Sequence, residues 1–205
     1  PADPYLWIIK GDIERDRGLP RKAEESYQQA MPLLPPDRQE AAEHGVLLSR
    51  LQRGQWKGTT SEIATEIATA RPSASRDDMA REWREQRAPQ LSSTVERSKG
   101  QGSGTQASRE WRYEVLLEGP RNDNGSRPFA QRIGQYGEFE DEDLYASYNV
   151  AGYEWNLHPA TVTLAAGHGS QLNEDFLALA ELQYAPTDHI TTTLGVEINT
   201  TDTPL

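Results

Sequence analysis

Near Arg87-Ala88-Pro89 the spacing of apolar residues changes from about 3.6 to about 2, and no single regular element accommodates both periods. Upstream, Ala, Glu, Gln, Arg and Leu dominate, with apolar residues three or four apart, so this part reads as helical. Downstream come short alternating segments rich in Thr, Val and Tyr, separated by Gly, Asn, Asp and Pro. Helices followed by a run of antiparallel strands imply an α+β chain rather than alternating βαβ units. The expected division is residues 1–87 for the helices and 88–205 for the strands.

The helical part opens on a unit with clear boundaries. Asp3-Pro4 supplies an N-cap followed by proline at the first helical position. A helix over about 5–16 is broken by Gly18 and Pro20, and a second over about 21–31 stops before Pro35-Pro36. Trp7, Gly11, Gly18, Ala23, Tyr27, Ala30 and Pro35 fall at the spacings of a tetratricopeptide repeat of roughly 34 residues. Gly11 and Ala23 are small where such helices cross, while Trp7, Tyr27 and Ala30 fill the shared interior. Glu14 departs from the pattern, which usually has an aromatic residue there. A degenerate second unit follows: a helix over about 37–53, another over 61–68 with Ile63 and Ile67 on one side, and a polar helix over about 75–86 around Met79 and Trp83. Repeats bury their faces against one another, about three being needed, so further repeats upstream of Pro1 are expected.

The second part reads as about seven strands. They start with 90–97 and with Trp111, Tyr113, Val115 and Leu117 alternating against Arg112, Glu114, Leu116 and Glu118. The third, over about 129–139, is ambiguous in phase. The fourth sets Ala151, Tyr153, Trp155 and Leu157 opposite Val150, Gly152, Glu154 and Asn156. The fifth carries Val162, Leu164 and Ala166 on one side, and the sixth Phe176, Ala178, Ala180, Leu182 and Tyr184. The seventh places Ile190, Thr192, Leu194, Val196 and Ile198 against Thr191, Thr193, Glu197 and Asn199. Connections over 98–107, 138–143 and 167–175 are polar and longer; two of the turns over 119–126, 156–160 and 185–189 are short and contain Pro. Long loops on one side and short turns on the other are typical of outer-membrane barrels, with the helices then periplasmic and the first strand running outward. Trp111, Tyr153, Trp155, Phe176 and Tyr184 are placed to form interfacial girdles.

Composition limits the alternatives. The 21 basic and 32 acidic residues leave a formal charge of −11, which argues against nucleic acid as a partner. Without cysteine there are no disulfides or thiolate metal sites. No stretch reaches the roughly 18 apolar residues of a membrane helix, but strands that alternate lipid-facing and lumen-facing residues do not need one. An exported protein needs a signal segment and none precedes Pro1, while Asp202-Thr203-Pro204-Leu205 falls just after a strand-like run, so the chain is expected to be a fragment.

The chain resembles the outer-membrane porins that export poly-N-acetylglucosamine, a biofilm polysaccharide. The resemblance rests on Arg87-Ala88-Pro89-Gln90-Leu91 at the junction, Asn122-Asp123-Asn124 before the third strand, and Ala151-Gly152-Tyr153-Glu154-Trp155 before the fifth. It implies a periplasmic tetratricopeptide domain joined to an outer-membrane β-barrel of about sixteen strands. It also implies a partly deacetylated, partly cationic polymer, hence a periplasmic polysaccharide deacetylase and outer-membrane lipid as partners. Acidic groups on the lumen face would then offer weak, repeated attraction, and Glu114, Glu181 and Glu197 are the expected contributors. On the first helix, Asp12 and Asp16 would line the repeat groove and Tyr5 would stack on a sugar face.

No enzymatic activity and no cofactor is expected. Ser, His and Asp occur without a nucleophile elbow. His44, His158, His168 and His189 are dispersed without metal-ligand spacing. Gly100 to Gly104 lacks the Lys-Ser/Thr of a phosphate loop. The run from Glu138 to Asp143 reads as a solvated loop, with divalent-cation bridging at a lipopolysaccharide surface as the alternative. Two other functional classes stay open: an exporter of a different polysaccharide such as cellulose, and a soluble repeat adaptor joined to a β-sandwich.

Overall fold

The computed structural model describes residues 3–99, 109–138, 143–171 and 176–198. Among these, five α-helices precede seven strands: α1 (Pro4–Asp16), α2 (Pro20–Ala30), α3 (Glu40–Gln52), α4 (Thr59–Thr69) and α5 (Ala74–Arg87). Two short 3-10 turns, Met31–Leu33 and Pro36–Arg38, bridge α2 and α3. The strands are β1 (Gln90–Lys99), β2 (Arg109–Glu118), β3 (Arg127–Glu138), β4 (Asp143–Leu157), β5 (Ala160–Gln171), β6 (Phe176–Tyr184) and β7 (Thr192–Ile198). The junction falls where the period changes, because Pro89 offers no N–H to continue α5 and Gln90 begins the ladder.

Local chemistry accounts for the helix ends. The Asp3 carboxylate accepts from the Tyr5 N–H at 3.0 Å, and the Ser73 hydroxyl from the Arg76 N–H at 3.0 Å, so α1 and α5 each have a capped start. Tyr27, Ala23, Ala30, Leu34, Ala42 and Val46 form one core, with Trp7 and Ile8 of α1 packed against it. A second core holds Leu48, Leu51, Trp56, Ile63 and Met79. Glu14, the departure from the repeat pattern, accepts from the Ser26 hydroxyl at 2.6 Å and so ties α1 to α2 with a polar link.

All seven strands belong to one antiparallel sheet in sequence order, β1 to β7, without crossovers. β1 and β7 do not pair, so the sheet is open. A β-sandwich would divide these strands between two packed sheets, and the described strands do not do so.

Several boundaries differ from expectation for identifiable reasons. β4 starts at Asp143, well before residue 150, because its first half has polar Ser147 and Asn149 on the otherwise apolar face. β5 runs to Gln171, through glycines that read as a loop. A Cβ on Gly167 would lie 2.5 Å from the Asn149 carbonyl, so that glycine permits a close strand approach. The β4–β5 turn contracts to His158-Pro159, and Ile190 lies outside β7. Residues 100–104, and most of the acidic run from Glu138 to Asp143, lie outside the described residues.

Register resolves the phase of β3. Pairing places Ala130 beside Leu117 and Ala151, and Arg132 beside Val115 and Asn149. The phase was illegible because Arg132 shares the apolar side while Phe129 and Ile133 lie on the other. One sheet face therefore presents exposed Val95, Val115, Leu117, Leu164, Leu182, Leu194, Val196 and Ile198. The opposite face carries Glu114, Glu118, Glu154, Thr163 and Glu181, together with an apolar cluster of Tyr148, Val150, Ala165 and Leu177.

Candidate functional site

The helices sit over the short turns, and the joint between them encloses a polar cleft of about 1040 Å³. Three turns build it. In the β2–β3 turn the Asn122 carboxamide accepts from the Asn124 N–H at 2.9 Å and the Ser126 N–H at 3.1 Å, an Asx arrangement that fixes the loop. Gly125 takes φ +82°, and a Cβ there would lie 2.3 Å from the buried Trp56 ring, so glycine lets the turn lie against the helices. Arg87 pairs with Asp123 at 2.8 Å, and the Arg121 N–H donates to the Arg87 carbonyl at 3.0 Å.

The β4–β5 turn contributes Asn156, whose Nδ2 donates to the Gly54 carbonyl at 2.6 Å and the Asn124 carbonyl at 2.9 Å. The β6–β7 turn contributes Asp188. Its nearly buried carboxylate accepts from the Arg21 N–H at 3.0 Å and the Lys22 N–H at 3.2 Å, meeting the free donors at the start of α2. Six arginines line the cleft: Arg15, Arg21, Arg53, Arg81, Arg121 and Arg127. Each is met by an acid. Arg15 pairs with Glu82 at 2.5 Å, Arg53 with Glu24 at 2.8 Å and Arg121 with Glu154 at 2.7 Å, while Arg127 pairs with Glu118 and Glu154.

These surroundings shift titrations. Burial pushes the Tyr27 hydroxyl up, and its donation to the Asp12 carboxylate at 2.7 Å pushes it further. Burial alone would lower the Arg15 guanidinium, but Glu82 outweighs it and the net direction is up. Burial lowers His158, and Arg53 and Arg21 beside it lower it further.

The residues singled out in the sequence do not form one site. Tyr5 is about half exposed on α1. Asp12 is engaged by Tyr27, whereas Asp16 lines the cleft. Glu114 accepts from Gln131 Nε2 at 2.8 Å and shares the more polar sheet face with Glu181 and Glu197. Glu181 and Glu197 lie on neighbouring strands, because Glu181 pairs with Gly195 two residues from Glu197.

The arginine-lined cleft has no linear sequence signature, since its members come from both parts of the chain. The nearest signal was the Asn122-Asp123-Asn124 run, which forms the docking turn. Among the described residues no cluster of three potential metal ligands occurs. No family model, no curated protein and no solved structure matches this chain.

Proposed function

We propose that the chain is part of an outer-membrane porin that exports partly deacetylated poly-N-acetylglucosamine, with tetratricopeptide-type helices on the periplasmic side. The observation that carries this reading is the spacing of aromatic residues on the exposed apolar face. Tyr153, Trp155 and Tyr184 lie toward the helix end, and Trp111, Tyr113, Tyr136 and Tyr145 lie toward the other. Along β4, Tyr145 and Trp155 are ten residues apart without a bulge. At roughly 3.4 Å per residue and a strand tilt of about 40°, that separation rises about 25 Å, the height of the apolar band between girdles.

The opposite face supports transport of a cationic polymer. Glu114, Glu181 and Glu197 give it acidic groups, whereas Glu118 and Glu154 on the same face are matched by Arg127 and Arg121. The cleft at the turns lies between the helices and that face. Attraction of this kind is repeated, shallow and screened by salt, so it guides a chain without holding it. No other polysaccharide is favoured by a specific observation.

The test is export. In bacteria that make the polymer but lack their own outer-membrane exporter, the protein containing this chain should restore extracellular polymer. Glu114→Gln, Glu181→Gln and Glu197→Gln together should reduce its release. Polymer retained in the periplasm, or restored secretion of cellulose instead, would overturn the assignment.

A further inference from the structure

Six arginines give the cleft between helices and turns the look of an anion site, yet each is already met by an acid. What stays open is different. Among the described residues, the side chains of Asp16, Gln90, Thr161 and Gln183 line the cleft without a hydrogen bond or ion pair. One carboxylate, two carboxamides and a hydroxyl offer acceptors and neutral donors, but no positive charge. That set matches a ligand rich in hydroxyl and amide groups that carries an occasional cation.

The open groups form a track from the helices into the sheet. Arg21 donates through Nη2 to the Ala185 carbonyl at 2.9 Å and through its N–H to Asp188 at 3.0 Å, so the α1–α2 turn lies against the end of β6. Asp16 closes α1 just before that turn. Ala185 is two residues beyond Gln183, which pairs with Thr161. Two residues back along β6, Glu181 lies on the same face as Gln183, with Glu197 diagonal to it on β7. At about 1040 Å³ the cleft matches the upper end of small-molecule sites, roughly 300–1,000 Å³, so it has room for linked sugar units.

We propose that this cleft is a glycan-binding subsite through which the polymer reaches the polar face of the sheet. Asp16 accepts from the ammonium of a deacetylated unit, while Thr161 and Gln183 bond the hydroxyl and acetamido groups of another unit. The proposal rests on the export reading above, and its test keeps the two apart. The full chain in neutral maltoside micelles is titrated calorimetrically with N-acetylglucosamine pentamers of the polymer's linkage, either fully acetylated or with a single free amine. The free-amine pentamer should bind more tightly. Asp16→Asn should abolish that preference, a loss of about fivefold, the scale of one exposed ion pair. Gln183→Leu should weaken both pentamers. Neither side chain has a partner to lose, so both variants should keep the wild-type thermal midpoint. Glu25→Gln removes an exposed acid of α2 outside the cleft and should change nothing. An unchanged preference in Asp16→Asn would overturn the proposal. So would an equal loss in Glu25→Gln, which would mean attraction to the acidic surface at large. Export by the unaltered protein reports on the export reading alone. Restored export with pentamer binding indifferent to Asp16 and Gln183 removes only the cleft site. If export is not restored, the export reading fails and the polymer fails with it as the ligand of the cleft.

Discussion

The Tyr27 ring illustrates how single residues set the helical part. A Cβ on Gly11 would approach it to 2.7 Å and one on Gly45 to 2.6 Å, so the ring is clasped between glycines of α1 and α3. Replacing a helical glycine with alanine ordinarily gains about 1 kcal/mol from reduced backbone entropy. Here the added methyl must displace a buried ring, and overpacking costs about 1–3 kcal/mol. Gly45→Ala should therefore lower the thermal midpoint followed by helical circular dichroism. An unchanged or higher midpoint would show that the ring yields freely. Gly11 was legible from the repeat spacing, because a small residue is required there by pattern. Gly45 was not, since a lone glycine inside a helix gives no hint of the ring that faces it. Asp12 shows the converse: a carboxylate on an exposed helix position reads as a ligand group, yet it accepts the Tyr27 hydroxyl.

At the scale of elements, the question is how helices and turns are held together. The His158-Pro159 turn packs beside Gly54, with a hypothetical Gly54 Cβ only 3.8 Å from His158 Nδ1, and Arg53 and Arg21 both act on the imidazole. Burial and the two guanidinium groups hold His158 below its ordinary value. The unfolded chain therefore takes up a proton at higher pH than the folded one. Stability from the neutral ring is fully present above about pH 6.5 and is lost as pH falls through the depressed folded value. Wild-type protein should lose thermal stability between about pH 7 and pH 5, and His158→Gln should remove part of that slope. Parallel profiles for the two proteins would exclude this histidine as a contributor. Strand existence was legible here, because Thr-Val-Thr-Leu and Tyr-Glu-Trp-Asn alternate plainly. The cleft was not, since Arg21 and Asp188 are 167 residues apart and meet only once the turns dock.

For the whole molecule, the decisive property is which sheet face meets which solvent. Consecutive strand order was legible as a series of hairpins, but only half of the aromatic arrangement was. Trp155 and Tyr184 stand in clean alternation, whereas Tyr136 and Tyr145 flank a connection and share a face only through the β3–β4 register. The apolar cluster of Tyr148, Val150, Ala165 and Leu177 also obscured the pattern, because it places apolar side chains on the more polar face. Two adjacent residues of β5 test the assignment directly. Leu164 is about half exposed on the apolar face, and Thr163 projects to the other, pairing with Glu181. A lysine on the lipid side of a barrel costs about 2–4 kcal/mol at the midplane and about 0–1 kcal/mol near the interfaces. Leu164 pairs with Tyr153 of the helix-end girdle, so the smaller cost applies to it, against none where lysine faces water. Leu164→Lys should therefore reduce the fraction of protein that co-floats with phosphatidylcholine vesicles, while Thr163→Lys should leave it near the wild-type level. In a sheet wetted on both faces the two substitutions would be equivalent, since neither would remove a charge from water. Matching flotation of the two variants would thus reject the lipid-facing assignment, whatever the polymer, and a selective loss for Leu164→Lys would fix which face meets the bilayer.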